Sequence, residues 1–273
     1  MTDMQHEISH EHQPPHDGLR TFILIWFGQS VSMLGTAMTR FALLIWAYQR
    51  TGQATTLALL GFFSFATFVL LSPVGGVWAD RWDRRRLMFV SDLGAGVMTL
   101  GMLALLAAGD LAIWHLYLAE AITGFSEAFQ NPAYNASMAQ LIPRQQLGRA
   151  NGLRSLSYYA VTVLAPVLGA LLLNSIGLRG IMIIYLITFG IAAAVLLVVR
   201  IPRPIRSAEG AASENDGFFA QIMFGVRYIV RRRGLLGLTL VFMLIYLFAA
   251  ITYFGILAPM VLARSGGDEI VLS

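Results

Sequence analysis

Seven stretches of this chain, 21–48, 55–78, 87–108, 111–139, 152–174, 178–199 and 235–262, are almost unbroken apolar runs. A hydrocarbon core about 30 Å thick takes roughly 20 such residues per helical crossing. Lipid offers backbone groups no outside partner, so each run must close its own hydrogen bonds as a helix, and each is too long for a barrel strand. The expected class is therefore an all-α integral membrane protein. Composition agrees where it matters: only 12% of residues are charged and 57% are hydrophobic, about half the charge content of a soluble domain. That balance excludes a soluble enzyme, a disordered chain and a nucleic-acid binder. There is no cysteine, which removes disulfides, thiolate metal sites and cysteine nucleophiles.

All nineteen basic residues are arginine, and their placement fixes an expected orientation. With a cytosolic N-terminus, the inner segments hold fifteen arginines, against three (Arg50, Arg179 and Arg264) outside and Arg40 within the first span. Residues 1–19 form a polar tail with Pro14-Pro15 and His6, His10, His12 and His16. The tail has no basic n-region, apolar core or cleavage site, so it is read as a disordered cytosolic extension and not a signal peptide. Its histidines lack a fixed geometry, and no metal site is assigned to them. Residues 20–200 are the six-helix N-terminal unit, and 201–234 a cytosolic connection. In that connection Asp216 is placed to cap an amphipathic interfacial helix from Gly217 to Arg233. Residues 235–273 hold the seventh span and the start of a further, incomplete unit.

The second and third spans are joined by Gly76-Val-Trp-Ala-Asp80-Arg81-Trp-Asp83-Arg84-Arg85-Arg86. Glycine permits close helix approach, and acids interleaved with arginines can pair across a helix seam and hold an inner gate closed; a plain positive-inside loop is the alternative. The spacing resembles the signature loop of the major facilitator superfamily: glycine, three residues, aspartate, arginine, any residue, glycine, then basic residues. Asp83 stands at the second glycine's place. Ala165-Pro166-Val-Leu-Gly169-Ala170 resembles that family's antiporter motif in the fifth helix, and a proline kink packed by small residues describes it equally well. Trp26, Gly28-Gln29, Ser32, Thr39 and Trp46-Ala-Tyr48, with Gln130-Asn131-Pro132 and Leu141-Ile-Pro143, are similar to the macrolide-efflux and enterobactin-exporter branch of drug:proton antiporters.

The resemblance implies a multi-pass protein of the bacterial plasma (inner) membrane that exports amphipathic small molecules against proton entry. It implies an inner gate of Gly76, Asp80, Arg81, Arg84 and Arg85, with Asp92, a turn into the third span, as partner of the loop. The family has twelve helices in two halves; seven here imply a truncated chain whose transport needs a C-terminal half or a second copy. An inactive remnant or a membrane interaction module is the competing reading. An intramembrane enzyme has no Ser/His/Asp or metal-ligand spacing behind it, and without lysine no phosphate-loop nucleotide site can form.

Charge inside a span is costly and marks a candidate functional site. On the first span Gln29, Ser32, Thr36, Thr39 and Arg40 share one face, and on the fourth Glu120, Thr123, Glu127, Gln130 and Tyr134 do. Arg40 and Glu120 both lie about 12–14 Å below the outer end of their spans, so they are expected to pair, either as a purely structural ion pair or as part of the transport site. Glu127 lies about 10 Å further in, with no basic residue at matching depth on the first span, and is the expected proton carrier. Glu120 with Arg40 would set the field and orient substrate. Gln29, Ser32, Thr36, Gln130, Tyr158 and Thr162 are the expected cavity lining. No cofactor is expected; the expected partners are a small-molecule substrate, protons and the bilayer.

The chain's lack of cysteine makes the orientation testable. Single Ser213→Cys and Gly267→Cys variants are expected to react with a membrane-impermeant thiol reagent from opposite faces. Equal accessibility from one face would overturn the arrangement.

Overall fold

The computed structural model describes residues 18–199, 223, 227–250, 252, 260, 261 and 264. Four long helices come first: α1 (Gly18–Thr51), α2 (Ala54–Arg81), α3 (Arg84–Ala108) and α4 (Ile113–Leu141). A short 3-10 turn (Arg144–Gln146) leads into α5 (Leu147–Val198), and α6 (Arg233–Ala250) follows. α5 holds the fifth and sixth expected spans. It folds back at Gly177, whose φ of 68° and ψ of 178° lie outside the helical region and suit a residue without Cβ. The polar tail, Asp216 and most of the expected amphipathic helix lie outside the described residues. Its last residues, 227–231, are helical, and Arg232 separates them from α6.

α1, α2, α3 and α5 are each long and apolar enough to cross a membrane, with mean hydropathy from 1.3 to 2.8. α4 is the exception among the long helices because its inward face carries Glu120, Thr123, Glu127 and Gln130. α1 packs along α5, α2 along α4, and α3 bridges α4 and α5. α6 is exposed at every described position except Leu236.

The core of this bundle is divided. Phe22, Ile25, Met88, Phe129, Leu141 and Leu196 belong to an apolar cluster at the end that carries the Arg81–Arg86 loop. Met38, Leu43, Leu116, Ile181 and Met182 belong to a second cluster toward the opposite end. Between them, in sequence order along α1, α3, α4 and the second arm of α5, lie the polar side chains Ser32, Thr36, Asp92, Thr99, Glu120, Glu127 and Tyr185. Apolar packing grips both ends, and the middle layer is held by hydrogen bonds and charge.

The seam between α2 and α4 corrects one sequence-based expectation. Gly76, expected to allow close approach, has open space where a Cβ would sit. Its neighbour Gly75 makes the contact instead: a Cβ there would fall 2.0 Å from the Ala128 carbonyl oxygen of α4. Pro132 lacks the N–H that would otherwise bond that carbonyl, so the exposed oxygen lies against the glycine Cα as a weak C–H···O contact. Gly124 of α4 repeats the pattern, 2.1 Å from the Ser64 carbonyl oxygen of α2 on the same measure.

Two neighbouring substitutions separate these roles. Gly75→Ala is expected to destabilise the detergent-solubilised protein by about 1–3 kcal/mol through overpacking. Gly76→Ala should be neutral, or stabilising by up to about 1 kcal/mol from helix propensity. Thermal unfolding of the two variants would check this, and equal midpoints would contradict the assignment.

Candidate functional site

Arg40 ties the middle layer together. Its Nη2 donates to Glu120 Oε2 at 2.8 Å and its Nε donates to the same oxygen at 3.1 Å, so the guanidinium grips that carboxylate from two nitrogens. Its Nη1 donates to Glu127 Oε1 at 3.0 Å, and Nη2 also bonds the Ser64 hydroxyl. One side chain of α1 thereby holds two acids of α4 and a serine of α2. The expected Arg40–Glu120 pair is present. The expectation that Glu127 stands without a basic partner is not met: the two glutamate side chains and the arginine reach toward one another and together close the two-turn gap, whereas depth counted along the backbone treats each as a point.

The two carboxylates are not equivalent. The Glu120 side chain is 11% exposed, whereas that of Glu127 is 38% exposed and that of Arg40 36%. Glu120 is enclosed and multiply bonded; Glu127 has one bond to Arg40 and opens to the side of the bundle. Beside them a small chamber of about 30 Å³ is lined by Thr36, Thr39, Arg40, Thr99, Glu120 and Tyr185, among others. Thr36 is thus at the site, as expected. Ser32 is buried one turn away, with its carbonyl accepting from the Thr36 hydroxyl at 3.0 Å. Tyr158 and Thr162 are exposed on the first arm of α5 and do not line the chamber. Nor do Gln29 and Gln130, whose amides are engaged by Asp92.

Asp92 corrects a second expectation. It does not join the Arg81–Arg86 loop but accepts hydrogen bonds from Gln29 and Gln130. Two helical turns separate it from Arg84, which turns it onto the buried face of α3, where it is 7% exposed.

The loop itself works as a set of caps. Asp83 is the N-cap of α3, with its carboxylate accepting from the backbone N–H groups of Arg85 at 3.0 Å and Arg86 at 3.3 Å. With φ at −62°, the position needs no glycine. Arg84 donates to the Ala136 carbonyl of α4 at 2.8 Å, and Arg85 to the Leu196 and Leu197 carbonyls at the end of α5. Arg81 closes α2 and is exposed; the Asp80 side chain lies outside the described residues. At the far end Arg179, two residues past the Gly177 fold, donates to the Leu106 and Ala107 carbonyls in the last turn of α3. Arginine donors suit the terminal carbonyls of α5 and α3, whereas the Ala136 carbonyl lies five residues before the end of α4. The Pro166–Gly169 motif sits where α5 meets α1: a Cβ on Gly169 would lie 3.0 Å from the Phe41 ring. His115 accepts the Ala112 N–H at 3.0 Å through Nδ1 at the start of α4. Among the described residues no group of three His, Cys, Asp or Glu side chains could hold a metal ion.

Sequence reasoning missed Ser64 and Tyr185 as parts of the site. Each stands alone among apolar neighbours, so neither forms a polar stripe that periodicity could detect.

Comparison with known proteins places this geometry in a lineage. The model of the Major Facilitator Superfamily matches residues 25–269. Macrolide efflux protein A of Streptococcus pyogenes is 29% identical over 235 residues, which cover 83% of this chain and 56% of that protein. Multidrug resistance protein MdtG of Escherichia coli O81 is 30% identical over 195 residues, 69% of this chain and 44% of that protein. The chain therefore spans about half the length of these curated relatives. Among solved structures, a bacterial homologue of the human lysosomal transporter Spinster, inward-facing and unoccupied, shares the fold at a TM-score of 0.53 and 18% identity. That match covers 78% of this chain and 50% of the other. With the family model matched over nearly its whole length and a helical bundle of the same fold, this chain belongs to the Major Facilitator Superfamily.

Proposed function

We propose that the chain forms the N-terminal half of a secondary active transporter that exports amphipathic small molecules of the drug, macrolide or siderophore class across the bacterial inner membrane, driven by proton entry. The observation that carries this reading is the Arg40–Glu120–Glu127 cluster. Unlike a plain ion pair, it sets one guanidinium against two carboxylates in the middle of a bundle that is apolar at both ends. With both acids ionised the cluster carries one surplus negative charge, which a single proton or a cationic substrate group neutralises. Buried surplus charge is expensive, so occupancy by one or the other is favoured at every stage of a cycle. That is the logic of exchange.

Glu127 is the proposed carrier, on grounds of access. It has one bond to the guanidinium and the more open side chain, whereas Glu120 is enclosed and held by two nitrogens. Glu120 with Arg40 supplies the fixed field. The Arg84 and Arg85 caps tie the loop end of α3 to α4 and α5, so the helices of this half would move as one body. A rocking mechanism needs a second body on the open side of the cluster, from a further half or another copy of the chain. The described part of α6 supplies no such cover.

Two measurements in proteoliposomes test the proposal. The chain by itself is expected to give no saturable, gradient-driven efflux; efflux from the chain alone would mean that copies assemble. In an assembly that transports, Glu127→Gln should abolish proton-driven efflux while leaving substrate binding and substrate exchange intact. Glu120→Gln, which breaks the two-nitrogen grip and leaves Glu127 as the single counter-charge of Arg40, should also lower folding stability, by roughly 1–3 kcal/mol. Uphill efflux surviving Glu127→Gln with an unchanged pH profile would remove this residue as the carrier.

A further inference from the structure

The middle layer holds one more acid, and the Arg40 cluster does not use it. Asp92 of α3 accepts from amides: Gln29 Nε2 of α1 at 3.1 Å on one oxygen, and Gln130 Nε2 of α4 on the other. Gln130 Nε2 also donates to Gln29 Oε1 at 2.8 Å, closing a ring of three side chains from three helices. From the second arm of α5, Tyr185 lies near enough to feel the Asp92 charge. Among the described residues no ion pair joins Asp92 to a cationic side chain.

The choice of partners is informative. Glu120, at the same level of burial, is held by a guanidinium, which can only donate. A glutamine amide differs: turning its terminal amide exchanges oxygen for nitrogen, so it donates to a carboxylate or accepts from a carboxylic acid. The ring around Asp92 can therefore satisfy the acid with or without a proton. Buried acids are usually confined to one state by the cost of an unmatched partner in the other, and here the partner facing the acid can turn to match either state, at the expense of the Gln130–Gln29 bond.

A route also leads from this ring to the Arg40 cluster. Ala95, one turn along α3 from Asp92, lines the chamber beside Arg40 and Glu120, and Tyr185 lines it too. At about 30 Å³ the chamber has room for water. Thr39, which lines it and is 5% exposed, carries a buried hydroxyl oxygen with no hydrogen-bond partner in the protein. A water in the chamber would satisfy that oxygen and stand within about one turn of α3 from Asp92, which does not itself line the chamber.

We propose that Asp92 is a second proton-binding site, joined through the hydrated chamber to the Arg40 cluster, so that a proton has two stations within this half-bundle. A proton delivered by water adds to one Asp92 oxygen, and the facing glutamine amide turns to accept the new O–H. That turn breaks the ring bond which the amide's former orientation made, loosening the tie between α1, α3 and α4. The role in transport rests on the proton-coupled reading above; the binding of the proton does not.

Infrared pH-difference spectroscopy on the purified chain in lipid nanodiscs reads this directly, through the C=O stretch of protonated carboxyls. The expected result is a band lost in Asp92→Asn and retained in both Glu120→Gln and Glu127→Gln. Gln130→Leu, which removes one of two donors, should displace the midpoint of that band by about one pH unit or more. An unchanged spectrum in Asp92→Asn would overturn the proposal. If Asp92→Asn does not yield folded protein, Gln130→Leu decides, and an unmoved midpoint overturns it equally. Because no transport is measured, a Glu127→Gln variant that still pumps would sink the proposed carrier and leave this result standing.

Discussion

A guanidinium in the middle of a membrane bundle has to be satisfied, and much of this bundle is arranged around doing so. Arg40 draws Glu120 and Glu127 of α4 and Ser64 of α2 toward α1. The glycines of the α2–α4 seam let those two helices close up beside it, with backbone against backbone at Gly75 and Gly124. The apolar clusters at the two ends then seal what the cluster holds. Removing Arg40 would leave two carboxylates without compensation inside the bundle, and such a change costs more than the loss of an ordinary core contact.

The polar layer also explains how the bundle combines firmness with movement. The ends are fixed by close packing and by arginines: Arg85 and Arg179 cap the last turns of α5 and α3, and Arg84 ties α3 to the Ala136 carbonyl of α4. The middle is fixed by bonds whose partners can be exchanged. Protons, water and polar ligands compete for hydrogen bonds; they do not compete for van der Waals contact. Chemistry in the middle layer can therefore alter the relation between helices without unpacking their ends.

Much of this was legible in the sequence, because a bilayer leaves few alternatives. Apolar runs of spanning length gave the helices, and the arginine-bearing loops gave the breaks between them. Equal depth from the outer ends paired Arg40 with Glu120. The misreadings share a cause. Depth and spacing locate Cα atoms, whereas the site is built by side chains several ångströms long. Arg40 reaches a second acid that its own depth does not match, and Asp92 turns from charges near it in sequence toward amides on other helices. Gly75 and Gly76 are indistinguishable as letters; only the rotation of α2 decides which one meets α4.

The absence of lysine has a consequence for how this layer responds to voltage. A guanidinium keeps its charge at any pH a cell experiences, so the positive post at Arg40 is permanent and only the acids around it change state. Every proton taken up therefore adds charge to the bilayer interior, with no compensating loss from a basic neighbour. A charge crossing the whole membrane field is worth about 2.3 kcal/mol per 100 mV, and one that stops near the middle roughly half as much. Under the proton coupling proposed above, the occupancy of the layer would be tied to the electrical potential as well as to acidity, and the two halves of the proton-motive force would act on it through the same carboxylates.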